Sequence, residues 1–428
     1  MKLLVLGGGG REHALCWKLQ QSPRVEAVCA LPGSDGMAAS GITCLPGDPC
    51  AAGEVLQAVR EQSVDLVVVG PEAPLAAGIA DALRDAGVAV FGPTRAAAQL
   101  ESSKIFAKEF MARQHIPTAR FAAATGAVEA RRALAAFGAP VVIKADGLAA
   151  GKGVVVPETP EEADRALEQM LAGELAGAAG TRVVIEERLS GPELSVLAVC
   201  DGERYQILPV ARDHKRLLDG DHGPNTGGMG AVSSAGLLPP ELRATVERGI
   251  VAPTLAGMAR AGTPFVGVLY CGLMLTPHGP RVLEYNVRFG DPEAQAILPR
   301  WPGDLAGLLL AAARGGLAPT GGGLPLPGAA ACVVTASGGY PGGYLKGEAI
   351  AGLDPAGQFP GDPGATVFHA GTRRGAQGWE TNGGRVLAVA ARGDTLAQAL
   401  APCYRALASI QFRGMQYRRD IGASSAHS

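Results

Sequence analysis

Several kinds of sequence feature are scarce or missing in this chain of 428 residues. Its 8 cysteines are scattered and form no C-x-x-C pair, which argues against a zinc site and against a redox motif. Charged residues make up only 18% and the formal net charge is -2, which is unlike a disordered chain or a generic nucleic-acid binder. No window holds the roughly 20 uncharged apolar residues that a membrane helix needs. These absences predict a globular enzyme whose partners include neither nucleic acid nor a membrane.

The length and the first residues of the chain set two further expectations. The apolar run at 1–7 leads directly into a glycine loop and is too short for the core of a signal peptide, so we expect a cytoplasmic location. A chain of this length is too long for one ordinary hydrophobic core, so we expect several domains.

The amino-terminal region alternates predicted strands with predicted helices. Strands at 2–6, 25–30, 66–70 and 88–91 with helices between them are typical of a parallel α/β sheet of Rossmann type. The first strand and the first helix are joined by a glycine loop, where backbone N–H groups favour an anion. Glu12 occupies the third glycine position of the dinucleotide fingerprint, so phosphate or substrate binding is favoured over NAD, and a structural turn stays open.

A second glycine loop, at 145–153, lies between two predicted antiparallel strands and can fold over a triphosphate as a flap. It is not a Walker loop, because the spacing from Gly147 to Gly151 is one residue short and Gly153 stands where Ser or Thr should hold magnesium. A third glycine-rich segment, at 223–230, is predicted to be an irregular loop that is either a ligand site or a flexible connector.

The segment 283–293 carries the most specific chemistry. Glu284, Asn286 and Arg288 lie at period two on a predicted strand and so share one face, while the apolar residues that alternate with them, from Leu283 to Val287, face a core. Oxygen ligands beside a guanidinium suit Mg²⁺ held against phosphate oxygens, which indicates nucleotide chemistry. The alternative is a half-buried edge strand with a solvated polar face.

In their order along the chain, these residues resemble the ATP-grasp ligases, and specifically the phosphoribosylamine–glycine ligase (glycinamide ribonucleotide synthetase) family. The resemblance extends from the GGGREHA loop at 8–14 to the closing RDIG at 419–422. The blocks between them are 70–75 (GPEAPL), 91–94 (FGPT), 144–153, 213–216 (DHKR), 223–230 (GPNTGGMG), 284–293, 337–342 (SGGYPG), 369–372 (HAGT) and 381–386 (TNGGRV).

The resemblance implies an α/β architecture, an ATP-grasp fold with an amino-terminal Rossmann-like parallel sheet domain and a small carboxy-terminal α/β domain. The expected domains are 1–100 for substrate, 101–120 with 191–318 as the main ATP-grasp lobe, 121–190 as the flap lobe, and 319–428 as the carboxy-terminal domain.

The family's reaction joins glycine to 5-phosphoribosylamine with ATP through glycyl phosphate, giving glycinamide ribonucleotide, ADP and phosphate in purine biosynthesis. The resemblance implies ATP as co-substrate and Mg²⁺ or Mn²⁺ as metal. We expect only small-molecule partners, a monomer, and at most transient contact with other purine-pathway enzymes.

The family also implies roles for individual residues. Expected ATP contacts are Lys104, Lys144, Gly151, Lys152, Gly153, Glu186, Glu187, Leu189 and Glu193. Expected substrate contacts are Gly8, Gly9, Gly10, Arg11, Pro71, Glu72, Asn225, Thr226, Gly227 and Gly228. Glu284 and Asn286 would hold the metal, and Arg288, Asp291, Asp213 and Lys215 would be catalytic. We expect His214 to be solvated and without a catalytic role.

The chain departs from the family pattern at Arg212, where a glutamine is expected, and at Val287, where a cysteine is common. The preceding strand, at 270–274, supplies no second carboxylate for a second metal ion. Two other functions stay open: a different ATP-grasp carboxylate–amine ligase or carboxylase with another acceptor, and a non-catalytic nucleotide-binding protein. Binding of ATP without glycine-dependent turnover would favour the second.

Overall fold

The computed structural model describes residues 1–138, 140–148, 153–175, 182–318 and 326–423. Within these ranges no helix combines the length and the apolar character needed to cross a membrane.

The amino-terminal region forms the parallel sheet that the sequence predicts. Its strands are β1 (Lys2–Gly7), β2 (Ala27–Pro32), β3 (Thr43–Cys44), β4 (Leu66–Val69) and β5 (Val90–Phe91), in the order β3-β2-β1-β4-β5. Its helices are α1 (Gly10–Leu19), α2 (Asp35–Ala39), α3 (Ala52–Gln62), α4 (Glu72–Ala77) and α5 (Ile79–Asp85). Strands β1 and β4 are almost wholly buried. Their unbroken apolar sequences are typical of a parallel sheet that is covered on both faces. The short strand β3 is absent from the sequence prediction.

The next region forms a four-stranded antiparallel sheet in the order β6-β9-β7-β8. Its elements are α6 (Gln99–Ser102), α7 (Lys104–Arg113), β6 (Phe121–Ala124), α8 (Ala127–Phe137), β7 (Val141–Ala145), β8 (Val154–Val155), α9 (Pro160–Leu171) and β9 (Val183–Glu187). Residues 149–152 of the predicted flap, including Gly151 and Lys152, lie outside the described residues.

The central region contributes strands to three different sheets. Its strands are β10 (Glu193–Asp201), β11 (Tyr205–Ile207), β12 (Arg212–Asp213), β13 (Arg216–Leu218), β14 (His222–Asn225), β15 (Gly230–Ser234), β16 (Val266–Thr276) and β17 (Gly279–Asn286). Its helices are α10 (Pro240–Val246), α11 (Ala252–Arg260), α12 (Glu293–Ile297) and α13 (Leu305–Ala313). One antiparallel sheet has the order β11-β10-β16-β17 and ends in the strand that carries Glu284 and Asn286.

The carboxy-terminal region completes a second sheet that begins in the central region. Its elements are β18 (Ala329–Ala336), β19 (Ala365–His369), β20 (Thr372–Gly375), β21 (Gly378–Thr381), β22 (Arg385–Gly393) and α14 (Leu396–Ser409). The sheet order is β12-β15-β18-β22-β19, so strands from 212–234 pair with strands beyond 329. This sheet therefore crosses the boundary proposed at 318/319, and that boundary stays a prediction.

Three local expectations differ from the structure. Part of 223–230 is strand, because β14 pairs with β13. Leu283 does not face a core: a shift of register between Gly272 and Leu273 interrupts the period-two pattern, and Leu283 lines the cleft described below. His214 is buried rather than solvated, and its Nε2 accepts from the Gly422 N–H at 3.1 Å. Burial, with Arg418 nearby, lowers the pKa of His214 to about 4.

Candidate active site

Most of the predicted site residues converge on one large cleft, of about 1120 Å³. It lies between the sheets β6-β9-β7-β8 and β11-β10-β16-β17 and is also lined by the amino- and carboxy-terminal regions. Glu284, Asn286, Arg288, Asp291, Asp213 and Lys215 all line this cleft. So do Lys104, Lys144, Gly153, Glu186, Glu187, Leu189, Glu193, Arg11, Glu72, Asn225, Thr226 and Gly227. Gly8, Gly9, Gly10, Pro71 and Gly228 are not among its lining residues.

A group of buried lysines surrounds one buried carboxylate on the floor of the cleft. Glu186 lies 2.8 Å from Lys108 and 3.0 Å from Lys144. The Lys144 Nζ donates to the Leu283 carbonyl at 3.0 Å, which ties it to the strand that carries Glu284. Burial, and then Lys144, lower the pKa of Lys108 to about 8. Because Glu186 neutralises only part of this charge, the group is suited to bind phosphate oxygens.

Lys104 reaches the same region from the first turn of α7. Its Nζ donates to the Gly147 carbonyl at 2.9 Å, and Asp146 beside that glycine accepts from the Ser103 hydroxyl at 2.9 Å. These bonds join the start of α7 to the chain that leaves β7. Burial lowers the pKa of Lys104 from its ordinary value, with Glu284 acting in the opposite direction.

Glu284 is a carboxylate held in its charged form. Burial alone would raise its pKa, but Lys215, followed by Lys144 and Lys104, lowers it below its ordinary value. Asn286 lies two residues further along the strand, and its Oδ1 accepts from Arg288 at 3.2 Å. Among the described residues no three His, Cys, Asp or Glu side chains gather as a metal site. One carboxylate and one amide oxygen fit a magnesium ion that takes its other ligands from phosphate and water.

Arg288 is clamped by carboxylates from other elements. Its Nη2 lies 3.0 Å from Glu101 at the end of α6, and its Nε lies 3.3 Å from Glu72 at the start of α4. A second oxygen of Glu101 accepts from the Val287 N–H at 2.8 Å. Burial raises the pKa of Glu101. Burial would also raise the pKa of Glu72, but Arg288 and Arg11, together with hydrogen bonds, lower it below its ordinary value. Arg288 therefore joins the segment that follows β17 to the amino-terminal domain.

A second charged group lies where β12 ends. Lys215 pairs with Glu193 at 3.0 Å, and this partner raises the pKa of Lys215 well above its ordinary value. Asp213 has one buried oxygen, Oδ1, without a hydrogen-bond partner in the part of the chain that the structure describes. Burial, and then Glu293, raise the pKa of Asp213 well above its ordinary value. Glu293 itself accepts from Tyr270 at 2.7 Å and from Ser195 at 3.1 Å.

The first glycine loop places Arg11 at the cleft and uses Glu12 internally. Glu12 accepts from the Gly9 N–H at 2.8 Å and from Arg11 at 2.5 Å. Arg11 also donates to the Phe289 carbonyl at 3.1 Å. A Cβ at Gly8 would come within 2.2 Å of the Gly33 carbonyl oxygen, so the absence of a side chain there permits close backbone packing.

Asp291 is anchored by the carboxy-terminal region. Arg385 lies 2.7 Å from its carboxylate and donates to its carbonyl at 2.7 Å, and Gln295 donates to the other carboxylate oxygen at 2.9 Å. Burial alone would raise the pKa of Asp291, but Arg385 and then Arg11 lower it below its ordinary value.

Sequence reasoning missed several residues that line this cleft. They are Glu101, Lys108, Tyr270, Glu293, Tyr340 and Arg385. Tyr340, Arg385 and Glu293 lie inside sequence blocks that carry the resemblance. The blocks therefore marked these residues, but nothing in the sequence indicated what each of them does. Glu101 and Lys108 face the site only because α6 and α7 pack beside β17, which no local pattern reveals.

Comparison with known proteins gives consistent matches over the chain. Residues 1–101, 102–294 and 330–424 match the N domain, the ATP-grasp (A) domain and the C domain of phosphoribosylglycinamide synthetase. A phosphoribosylamine–glycine ligase from Rhodopirellula baltica is 49% identical over 430 residues, covering 98% of this chain and 96% of the relative. One from Vibrio cholerae is 46% identical, with 99% and 98% covered.

Solved structures agree with these sequence matches. The phosphoribosylamine–glycine ligase of Thermotoga maritima has a TM-score of 0.85 at 37% identity, covering 99% of this chain and 100% of the other. The biotin carboxylase of Campylobacter jejuni has a TM-score of 0.74 at 14% identity, covering 97% and 92%, a likeness of fold alone. The expected ATP-grasp fold is thereby confirmed, and the chain belongs to the phosphoribosylglycinamide synthetase family of ATP-grasp ligases.

Proposed function

We propose that this protein joins glycine to 5-phosphoribosylamine, with ATP converted to ADP and phosphate, and so makes glycinamide ribonucleotide for purine biosynthesis. The observation that carries the proposal is the convergence of Glu284, Asn286, Lys104, Lys144 and Lys215 in one cleft of a chain that belongs to this family. A cytoplasmic location and a monomeric state remain predictions.

The chemistry requires activation of a carboxylate. An amine does not displace a carboxylate oxygen until that oxygen becomes part of a leaving group, and phosphorylation by ATP makes glycyl phosphate. The amine then attacks the carbonyl carbon, the carbon–oxygen bond to phosphate breaks, and the amine loses one proton. Positioning and charge neutralisation contribute most of the catalysis of such a transfer.

We assign the binding of ATP phosphates to Lys104 and Lys144. Each is held in place by a backbone carbonyl, that of Gly147 for Lys104 and that of Leu283 for Lys144. Glu284 and Asn286 would hold Mg²⁺ or Mn²⁺, which neutralises phosphate charge when bound. Leu189 and the backbone near Glu186 and Glu187 would face adenine, because both glutamates already have protein partners: Lys108 and Lys144 for Glu186, and Arg120 for Glu187.

We assign the reacting centre to Asp213, Lys215 and Arg288. Glu193 keeps Lys215 cationic and therefore suited to a developing negative charge on oxygen. The Asp213 oxygen that lacks a protein partner is suited to accept the proton that the amine loses. Asp213→Asn should then leave ATP binding unchanged and abolish amide formation. Near-normal turnover of this variant would remove Asp213 from the mechanism.

The decisive experiment follows oxygen atoms. Glycine labelled with ¹⁸O in its carboxylate should deliver one labelled oxygen to inorganic phosphate for each product formed. ADP release should require both glycine and freshly prepared 5-phosphoribosylamine. Unlabelled phosphate, or AMP and pyrophosphate in place of ADP, would contradict the mechanism. Turnover with another acceptor alone would favour a different ATP-grasp ligase or carboxylase.

A further inference from the structure

We propose that the carboxy-terminal region forms part of the acyl-transfer site, where Arg385 and Tyr340 position the loop Thr226–Gly228 and Asp291 for reaction. This inference rests on the proposed function and adds two positioning residues to it. Both side chains line the cleft, and both come from blocks for which sequence analysis suggested no role.

Two side chains of the carboxy-terminal region hold the backbone of Gly227. Tyr340 accepts a hydrogen bond from the Gly227 N–H at 3.0 Å, and Arg385 donates to the Gly227 carbonyl at 2.6 Å. The two polar groups of one loop residue are thus held by two side chains from the carboxy-terminal region. A Cβ at Gly227 would lie 3.3 Å from the guanidinium carbon of Arg385 and 3.4 Å from the Tyr340 oxygen. Both side chains therefore pack closely against the Gly227 backbone.

Arg385 also bridges Gly227 and Asp291. The guanidinium that binds Gly227 also binds the carbonyl and the carboxylate of Asp291, each at 2.7 Å. Gln295 occupies the other carboxylate oxygen at 2.9 Å. Both carboxylate oxygens of Asp291 are therefore engaged within the protein, and Arg385 and Gln295 together fix the orientation of its side chain. Arg385 therefore fixes the loop Thr226–Gly228 relative to the segment that follows β17.

The loop Thr226–Gly228 is in turn bonded to the backbone of Lys215, in the proposed reacting centre. The Thr226 N–H and hydroxyl both donate to the Lys215 carbonyl, at 2.8 and 2.7 Å. Movement at Gly227 would therefore move Thr226 and the backbone of Lys215, whose side chain lies among Glu193 and Glu284. The two carboxy-terminal side chains reach Lys215 through only two loop residues.

The loop that carries Tyr340 is bonded to the start of β22, the strand that carries Arg385. The Ser337 N–H and hydroxyl donate to the carbonyls of Gly384 and Gly383, each at 2.8 Å, which locks the Tyr340 loop to the start of β22. A Cβ at Gly384 would come within 2.4 Å of the Tyr340 ring, so the ring sits directly on that backbone. Both residues are therefore held by the sheet before any ligand binds, as an effective positioning group requires.

The test compares Arg385→Gln, Arg385→Lys and Tyr340→Phe with the control Arg413→Gln. Arg413 forms a two-bond pair with Glu348 on the same carboxy-terminal region, is largely exposed, and does not line the cleft. We expect Arg385→Gln to lower kcat/KM for glycine by at least about tenfold, since small misplacements of reacting groups are costly. Tyr340→Phe, which removes one hydrogen bond, should lower it by about fivefold.

The Tyr340→Phe variant should keep the wild-type KM for ATP and the wild-type unfolding temperature. Arg385→Lys should have a higher kcat/KM for glycine than Arg385→Gln, though a lower one than the wild type. If both Arg385→Gln and Tyr340→Phe match Arg413→Gln in turnover, the inference is wrong while the proposed function stands. An equal rise of the KM values for ATP and glycine would also overturn it, because it would indicate a general structural role. Absence of glycine-dependent ADP release in the wild-type protein would instead reject the proposed function.

Discussion

At the scale of single residues, the cleft is notable for charges that compensate one another before any ligand is present. Glu284 faces three lysines, Glu186 pairs with two, and Arg288 lies between Glu72 and Glu101. Buried charge is costly unless it is paired, so each of these groups depends on its partners. Removing one charge therefore alters the ligand site and its neighbours together.

The metal assignment can be tested with Glu284→Gln, which keeps the shape of the side chain and removes its charge. We expect kcat to fall by roughly 100-fold, the order of magnitude for losing one preorganised electrostatic contact. The variant should also need more magnesium for half-maximal activity. The control Glu241→Gln, at an exposed site in the first turn of α10, should behave as wild type. Near-normal turnover of Glu284→Gln at saturating magnesium would refute the assignment.

The phosphate assignment can be tested with Lys144→Met, which keeps most of the aliphatic stem. Loss of a charge-assisted contact should raise the dissociation constant of ATP by about 10- to 100-fold. Lys108 still neutralises Glu186 in this variant, so the fold should survive. Lys346→Met removes an exposed lysine and should leave ATP affinity unchanged. Calorimetric titration with ATP would distinguish the two variants, and equal affinities would exclude the role of Lys144.

At the scale of secondary structure elements, helix starts position several site residues. The Ser103 hydroxyl caps α7 by accepting from the Phe106 N–H at 3.1 Å and also donates to Asp146. Lys104 is the next residue, so the cap and the lysine that we propose to bind phosphate share one turn. Thr159 caps α9 in the same way, accepting from the Glu162 N–H at 3.2 Å, at an exposed helix end outside the cleft.

These two caps give a matched pair of variants. Ser103→Ala and Thr159→Ala should each lower the free energy of unfolding by about 1 kcal/mol, the usual effect of losing an N-cap side chain. Only Ser103→Ala should also raise the KM for ATP. This variant removes the hydrogen bond from Ser103 to Asp146, the neighbour of Gly147, whose carbonyl accepts from Lys104. Urea unfolding and steady-state kinetics would measure both effects. An unchanged KM in Ser103→Ala would mean that this cap acts on stability alone.

At the scale of the whole molecule, two buried histidines join the amino-terminal domain to the carboxy-terminal region. His13 Nδ1 accepts from the backbone N–H of His369 at 3.0 Å, so the His13 proton lies on Nε2 and is donated to Ser40, at 3.0 Å. His369 Nε2 likewise donates to the Gly357 carbonyl at 2.8 Å. The His13 ring is neutral in this arrangement, because its Nδ1 accepts a hydrogen bond and therefore carries no proton. Burial lowers the pKa of His13 to about 3 and that of His369 to about 4.

This junction predicts a loss of stability in mild acid. A histidine whose folded pKa lies below its unfolded value near 6.5 stabilises the fold above pH 6.5, and that stability is lost as the pH falls toward 4. Between pH 7.5 and 5.5 each of the two should lose roughly 1 kcal/mol. The urea midpoint should fall over this interval, and His13→Gln should weaken that dependence. Exposed His278→Gln should not. A wild-type midpoint that is constant over this interval would contradict the prediction.

The class of fold and most of the candidate residues could be predicted from the amino-acid sequence. Unbroken apolar strands alternating with helices can bury both faces only in a parallel sheet, and this gave the amino-terminal domain. Period two on one strand placed Glu284 and Asn286 together, and the ordered motifs indicated the family. Residues that act through contacts close in sequence, or through motifs, could be identified in this way.

The contacts between segments that are distant in sequence became visible in the folded chain alone. Glu101 reaches Arg288 across 187 positions of sequence, Lys108 reaches Glu186, and Arg385 reaches Gly227 and Asp291. The sheet that joins 212–234 to strands beyond 329 places the carboxy-terminal region at the cleft. Leu283 departs from its period-two expectation because of a shift in strand register, and His214 is buried because the chain end near Gly422 covers it. Such outcomes depend on which surfaces pack together, and local pattern and propensity do not contain that information.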